Sequence, residues 1–197
     1  VEREMTPDEL FRLLLDKAEV EFVNAPHISG IHGSDHLQRV WERCKKLSEK
    51  LGGDLEVLAA AAALHDLGRH HGLEVHGEKS AELAEPILME TGFPPEKKNT
   101  VLEAIRLHDI TTPADKRATT EAMILYDADK LDSFGVMGVV RYVVFYFQKG
   151  AGVDYILDTL KKRWDGLHFN ETRELSRTDY EYIVDFFRRL GDAGGGV

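Results

Sequence analysis

His65 and Asp66 stand side by side at the end of the apolar run Leu55–Leu64 (LEVLAAAAAL), where a carboxylate carried into the core needs a partner. An isolated buried charge costs several kcal/mol, or protonates instead. A bound cation resolves the conflict. Further ligands of the right kind occur at His36, upstream, and in Tyr126-Asp127-Ala128-Asp129-Lys130, far downstream. No single segment can chelate an ion with these groups, so the fold must gather them. The chain has nine histidines (His27, His32, His36, His65, His70, His71, His76, His108 and His168), most of them between the second and fifth expected helices. Taken singly, each reads as a surface ring or a hydrogen-bonded core ring. Taken together, they point to a metal centre built on facing helices, as bundles commonly provide.

The elements that must position these groups are helices. Thr6-Pro7-Asp8-Glu9 has the capping residue, early proline and early acids of a helix start. The second helix follows from Ser34 as cap, with Leu37, Val40, Trp41, Cys44, Leu47 and Leu51 on one face and Gly52-Gly53 as its stop. Cys44 on that stripe reads as a small core residue. Asp54 caps a third helix that is apolar nearly all round, and so should run through the middle of the domain. A fourth is expected from Glu78 to Glu90 around Pro86, and a fifth from Pro95 to His108, followed by the polar loop TTPADKRATT. Glu121–Asp132 forms a sixth. The run Phe134–Gln148 (FGVMGVVRYVVFYFQ) has strand-like propensity but is too long for an average strand, and reads as a core helix or a dimer surface. Arg141 interrupts it, and it falls short of the roughly 20 apolar residues that span a bilayer. Asp154–Trp164 and Asp179–Leu190 complete the set, leaving GDAGGGV as a tail with nothing to bury. We expect an all-α fold: one compact helical bundle over residues 1–190, with a flexible Gly-rich tail over 191–197.

The order His36, His65-Asp66, Asp129, in the words DHLQRVWERC, AAALHDLGR and YDADKLDSFG, resembles the HD-domain superfamily of metal-dependent phosphohydrolases. The similarity runs from about Ser34 to Gly138. Beyond it, NETRELSRTDYEYIVDFF is similar to the tail segment of the branch that includes small bacterial and archaeal nucleotide phosphohydrolases. Carried over position by position, the resemblance makes His36, His65, Asp66 and Asp129 the metal ligands. Asp129 is preferred to Asp127 because it precedes Lys130-Leu131; Asp127 as ligand would mean a rotated sixth helix. Two imidazoles and two carboxylates suit Mn²⁺, Fe²⁺, Co²⁺, Ni²⁺ or Mg²⁺, while structural zinc prefers a closed four-ligand site. A six-coordinate ion would keep two positions for water and a phosphate oxygen. His76 in HGEKSAELA and His108 in AIRLHD resemble the extra histidines with which some HD proteins hold a second ion. The alternatives are contact with substrate phosphate and helix capping. Arg69 and Lys130 are placed to reach phosphates, or else are solvated cations at helix ends. Several mononuclear relatives carry a glutamate shortly after the His-Asp pair as general acid or base. Here Leu67-Gly68-Arg69-His70-His71 follows instead, leaving His70, His71 and Asp132 as candidates.

Composition narrows the partners. With 35 acidic against 25 basic residues and a net charge of −10, the chain should be repelled by long nucleic acids and anionic membranes. A small phosphorylated substrate, above all a nucleotide, remains compatible, since short-range contacts are less screened than the global field. The single cysteine excludes an internal disulfide and fits a reducing compartment, and the first residues lack the apolar core of a signal peptide. We therefore expect a cytoplasmic protein and, from the apolar Phe134–Phe147 stretch, a homodimer contact. A phosphate-binding loop of the GxxxxGK[ST] kind, a GxSxG elbow, HExxH and paired cysteine ligands are all absent. The resemblance thus implies a hydrolase in which metal-activated water attacks a small phosphate ester or anhydride. Asp66 is the key residue, with Arg69 and Lys130 on the phosphates. The missing glutamate motivates an alternative, a catalytically silent metal- and nucleotide-binding module. A di-iron HD oxygenase is a third reading.

Overall fold

The computed structural model describes residues 5–23, 33–71, 75–145 and 150–194. Within them lie nine α-helices and no strand. His27 and His32 lie outside the described residues, as do the side chains of His70 and His71. The chain divides into two compact units, residues 1–128 and 129–197.

In the first unit, α1 (Pro7–Val23) opens on a reciprocal cap. The Thr6 hydroxyl accepts from the Glu9 amide at 3.3 Å, and the Glu9 carboxylate accepts from the Thr6 amide at 2.9 Å. Its buried residues Leu10, Phe11, Leu14 and Ala18 follow the helical repeat. Phe11 stacks on Trp41 of α2 (Ser34–Leu51), whose indole N–H donates to Asp8 at 2.7 Å. The stripe Leu37, Val40, Trp41, Cys44 and Leu47 is buried as the spacing predicts. The cap differs from expectation: Gly33 takes the extended Ncap conformation and Ser34 is the first helical residue, with no side-chain cap bond. Backbone conformation of the preceding residue, which composition does not encode, decides that position.

Helix α3 (Leu55–Leu64) is buried from Val57 to Leu64 and packs against α1, α2 and α5 (Pro95–Arg106). Asp54 caps it, accepting from the amides of Glu56 at 2.9 Å and Val57 at 3.3 Å. Lys97, on α5, reaches both Asp54 and Glu56 at 2.6 Å. Burial alone would raise the Asp54 carboxyl, but the Lys97 ammonium and the two amides outweigh it and hold it below its ordinary 3.8. A carboxyl lowered in the folded state adds stability that is complete above its unfolded value and lost as pH falls through the folded one. Asp54→Ala is therefore expected to cost about 1 kcal/mol at neutral pH. The gap to wild type should narrow as pH falls below the ordinary carboxylate range, as urea melts at neutral and acid pH would show.

A 3-10 turn over Leu67–His71 leads to α4 (Gly77–Glu90), which contains Pro86 and packs against α5. A side chain at Gly68 would bring Cβ to 2.7 Å from the His76 carbonyl, so only glycine lets this turn press on the start of α4. Helix α5 stops at Arg106, two residues before the expected end at His108. The polar loop after it contains a 3-10 turn, Ala114–Lys116, before α6 (Thr120–Leu131), within whose last turn the first unit ends.

The second unit holds α7 (Gly135–Phe145), α8 (Val153–Asp165) and α9 (Asn170–Gly194). The apolar run is a helix despite its β-branched content, and 146–149 lie outside the described residues. Phe134, Tyr142, Ile156, Leu160, Ile183 and Phe187 form the unit's core, beside Trp164 stacked on Tyr180. Val136, Val140, Val143 and Val144 of α7 are exposed. Helix α9 starts nine residues before the expected Asp179, because its first buried positions, Thr172 and Ser176, are polar and break the apolar stripe. The Ser176 hydroxyl donates to the Thr172 carbonyl at 2.7 Å. The expected tail is helical to Gly194, where Gly191 lies against Val153, and 195–197 lie outside the described residues. No described helix is long and apolar enough to cross a membrane.

Candidate metal centre

His36 comes from the first turn of α2, His65 from the residue that closes α3, and Asp66 from the position after it. All three are buried. The His36 Nε2 lies 3.5 Å from Asp66 Oδ2, and the His65 Nε2 lies 3.7 Å from Asp66 Oδ1. Donor pairs about 3–4 Å apart are what an ion about 2.1 Å from each requires. One potential ligand atom from each of His36, His65 and Asp66 falls within 4.8 Å of the others. These are nitrogen and oxygen donors without a thiolate, a set that fits a first-row divalent cation.

A second group shares Asp66. His76, just before α4, approaches Asp66 Oδ1 with its Nε2 at 2.8 Å. His108 Nε2 lies 3.0 Å from His76 Nε2 and 3.8 Å from Asp66 Oδ1. One potential ligand atom from each of Asp66, His76 and His108 likewise lies within 4.8 Å of the others. Neighbouring rings meet edge to face, His65 with His108 at 5.0 Å between centroids and His76 with His108 at 4.8 Å.

The rings are held from behind. His65 Nδ1 sits 3.0 Å from the Ala62 carbonyl and His108 Nδ1 2.6 Å from the Ile105 carbonyl. A carbonyl can only accept, so both Nδ1 atoms carry hydrogen and donate, and in the neutral ring Nε2 keeps its lone pair toward the cluster. The same bond explains the early end of α5: His108 turns its own ring onto the Ile105 carbonyl beyond the last helical residue.

Of the remaining expected residues, Arg69 Nε lies 3.3 Å from Asp66 Oδ1, beside the cluster. Asp127 is fully buried on α6 in the first unit, and among the described residues it joins no cation-capable group. Asp129 opens the second unit, its buried carboxylate accepting from Lys130. Asp132, also in that unit, is buried and accepts from Arg141 at 2.6 Å.

Two residues beside the cluster escaped the sequence reading. Asp109 is buried, and its Oδ2 accepts from the backbone amides of His76 at 3.1 Å and Gly77 at 2.7 Å, while Oδ1 lies 3.3 Å from His76 Nδ1. The fit leaves no room for a side chain at 77: a Cβ there would stand 2.5 Å from the Arg106 carbonyl and 2.9 Å from Asp109 Oδ2. Arg117, also buried, donates to the carbonyls of Leu107 at 2.7 Å, Asp109 at 2.9 Å and Thr112 at 3.1 Å. Its guanidinium lies 3.7 Å over the Tyr126 ring. Burial lowers its pKa, opposed by the nearby Tyr126, Asp127 and Asp109. The one available signal was a second His-Asp pair at 108–109, echoing 65–66.

A family model of the HD domain matches residues 33–133. The chain belongs to the HD-domain family. It is 24% identical over 174 residues to YpgQ of Bacillus subtilis (strain 168), covering 81% of this chain and 82% of that protein. The crystal structure of Bacillus subtilis YpgQ in complex with ADP has the same fold, with TM-score 0.74 and 21% identity over 96% of this chain and 97% of that one. A "predicted HD superfamily hydrolase" from an uncultured Thermotogales bacterium is similar at TM-score 0.65 and 25% identity, covering 91% of this chain and 90% of the other.

Proposed function

We propose that this protein is a metal-dependent phosphohydrolase acting on a small phosphate ester or anhydride, with nucleotides as the substrate class. The observation that carries the reading is the approach of His36 and His65 to the two oxygens of Asp66, at distances a divalent cation would bridge. His36, His65 and Asp66 would hold the ion, and the family resemblance supplies Asp129 as a further ligand from the last turn of α6. When bound, the ion supplies Lewis acidity and a nucleophilic water at neutral pH. The chain's own part is to aim the imidazoles through the bonds behind them and to keep the site inside buried walls. Arg69, beside Asp66, places a cation where substrate phosphate would arrive, and Lys130 is the second phosphate contact. The nucleotide class draws on the ADP complex of YpgQ. His76 and His108, which meet Asp66 on its Oδ1 side, support a second ion there.

The test is a panel of nucleoside mono-, di- and triphosphates, cyclic nucleotides and sugar phosphates, each run with Mn²⁺, Co²⁺, Ni²⁺ and Mg²⁺. Release of phosphate or pyrophosphate that needs the ion is the expected result. Nucleotide binding without product under every ion would replace the hydrolase with a silent binding module. Oxygen consumption by iron-loaded protein would replace it with an oxygenase.

A further inference from the structure

His76 is held differently from the other rings. His65 and His108 are each turned by a main-chain carbonyl, whereas His76 faces the carboxylate of Asp109. The same carboxylate takes the backbone amides of His76 and Gly77, so one group fixes both the main chain and the ring of a single residue. Asp109 is in turn immobilised through its own carbonyl by Arg117. The guanidinium spans the carbonyls of Leu107, Asp109 and Thr112, and so locks the connection that carries both His108 and Asp109. A lysine could not do this, because it has no planar fork of N–H groups.

We propose that Asp109, locked by Arg117, is a positioning residue that aims His76 at Asp66 and His108, and so sets the affinity of the second cation position separately from the first. The inference rests on the metal-binding reading above. A carboxylate behind a ligating imidazole orients the ring and strengthens it as a donor. His65 is turned instead by the Ala62 carbonyl, and His36 meets Asp66 on Oδ2 rather than on the Oδ1 that His76 approaches, so the first position should keep its affinity.

The experiment uses the full chain and Co²⁺ alone as probe, with bound cobalt measured by equilibrium dialysis and its d–d absorption followed through the titration. Wild type should take up two equivalents, and His108→Ala marks which of them belongs to the second position. In Asp109→Asn the amide oxygen can still accept from the Gly77 backbone, but its NH₂ group turned to Nδ1 would favour hydrogen on Nε2, the wrong tautomer for a ligand. The second equivalent should weaken about 10–100-fold while the first keeps its affinity and spectrum. Arg117→Lys should act in the same direction, and carries the test if Asp109→Asn does not keep its helical circular dichroism. Titration of the folded variants like wild type, or equal weakening of both equivalents, overturns the inference. Uptake of one ion by wild type also overturns it and leaves a mononuclear centre standing; uptake of none removes the metal-binding reading itself.

Discussion

Asp66→Ala is expected to abolish ion-dependent hydrolysis while leaving the helices intact. Asp66 is the residue common to both groups of the first unit: Oδ2 faces His36, and Oδ1 faces His65, His76 and His108. Alanine removes the charge that offsets the ion and the oxygens that place it, so neither group keeps a carboxylate from α3 or its turn. Groups that act as a unit lose function together, and a fall of about 10⁴-fold or more is the scale for such a member. The fold should survive, because α3 is held by Val57 to Leu64, buried before Asp66 is reached. Asp66→Asn keeps the shape and removes the charge, and should lose nearly as much. Turnover, elemental analysis after stripping and reloading, and circular dichroism check the prediction together. Metal-dependent phosphate release retained by Asp66→Ala would refute the assignment.

Mn²⁺ or Co²⁺ is also expected to raise the melting temperature of wild type and to leave that of Asp66→Ala unchanged. An ion that binds only the folded state stabilises it by about 2.7 kcal/mol at one hundred times its dissociation constant. For a chain of this length each kcal/mol moves the midpoint by about 2–4 °C, so a rise of about 5–10 °C is expected. A chelator should reverse it. The source is the convergence of His36 from α2 with His65 and Asp66 from the end of α3, which the unfolded chain does not preserve. An equal rise in Asp66→Ala would place the ion elsewhere, on surface carboxylates. Scanning calorimetry with and without chelator, on both proteins, separates the two outcomes.

The helices were legible where burial is apolar and periodic. Leu37, Val40, Trp41, Cys44 and Leu47 repeat at helical spacing and are buried as one face, and Asp54 reads as a cap and is one. The start of α9 was hidden because Thr172 and Ser176 are buried hydroxyl residues, which a hydrophobic pattern cannot register. The gathering of His36, His65 and Asp66 was foreseeable from their chemistry and the family order of the motifs, although the distances were not. The roles of Asp109 and Arg117 were missed for another reason, since the His-Asp pair at 108–109 does not say what the aspartate binds. Asp109 works across a gap of more than thirty residues on two backbone amides, and Arg117 binds carbonyls that every residue possesses. In TTPADKRATT the arginine looks like a solvated loop cation. Its burial depends on Tyr126 and on a loop path that residue types do not spell out.

The tethers behind His65 and His108 end on the main chain at Ala62 and Ile105. Every amino acid inserted at either place brings an identical acceptor. Mutational drift there is therefore limited only by the room available for bulk, and a lineage can rewrite much of α3 and α5 without turning those two imidazoles away. The Asp109 tether has no such insurance, since a single codon change removes it.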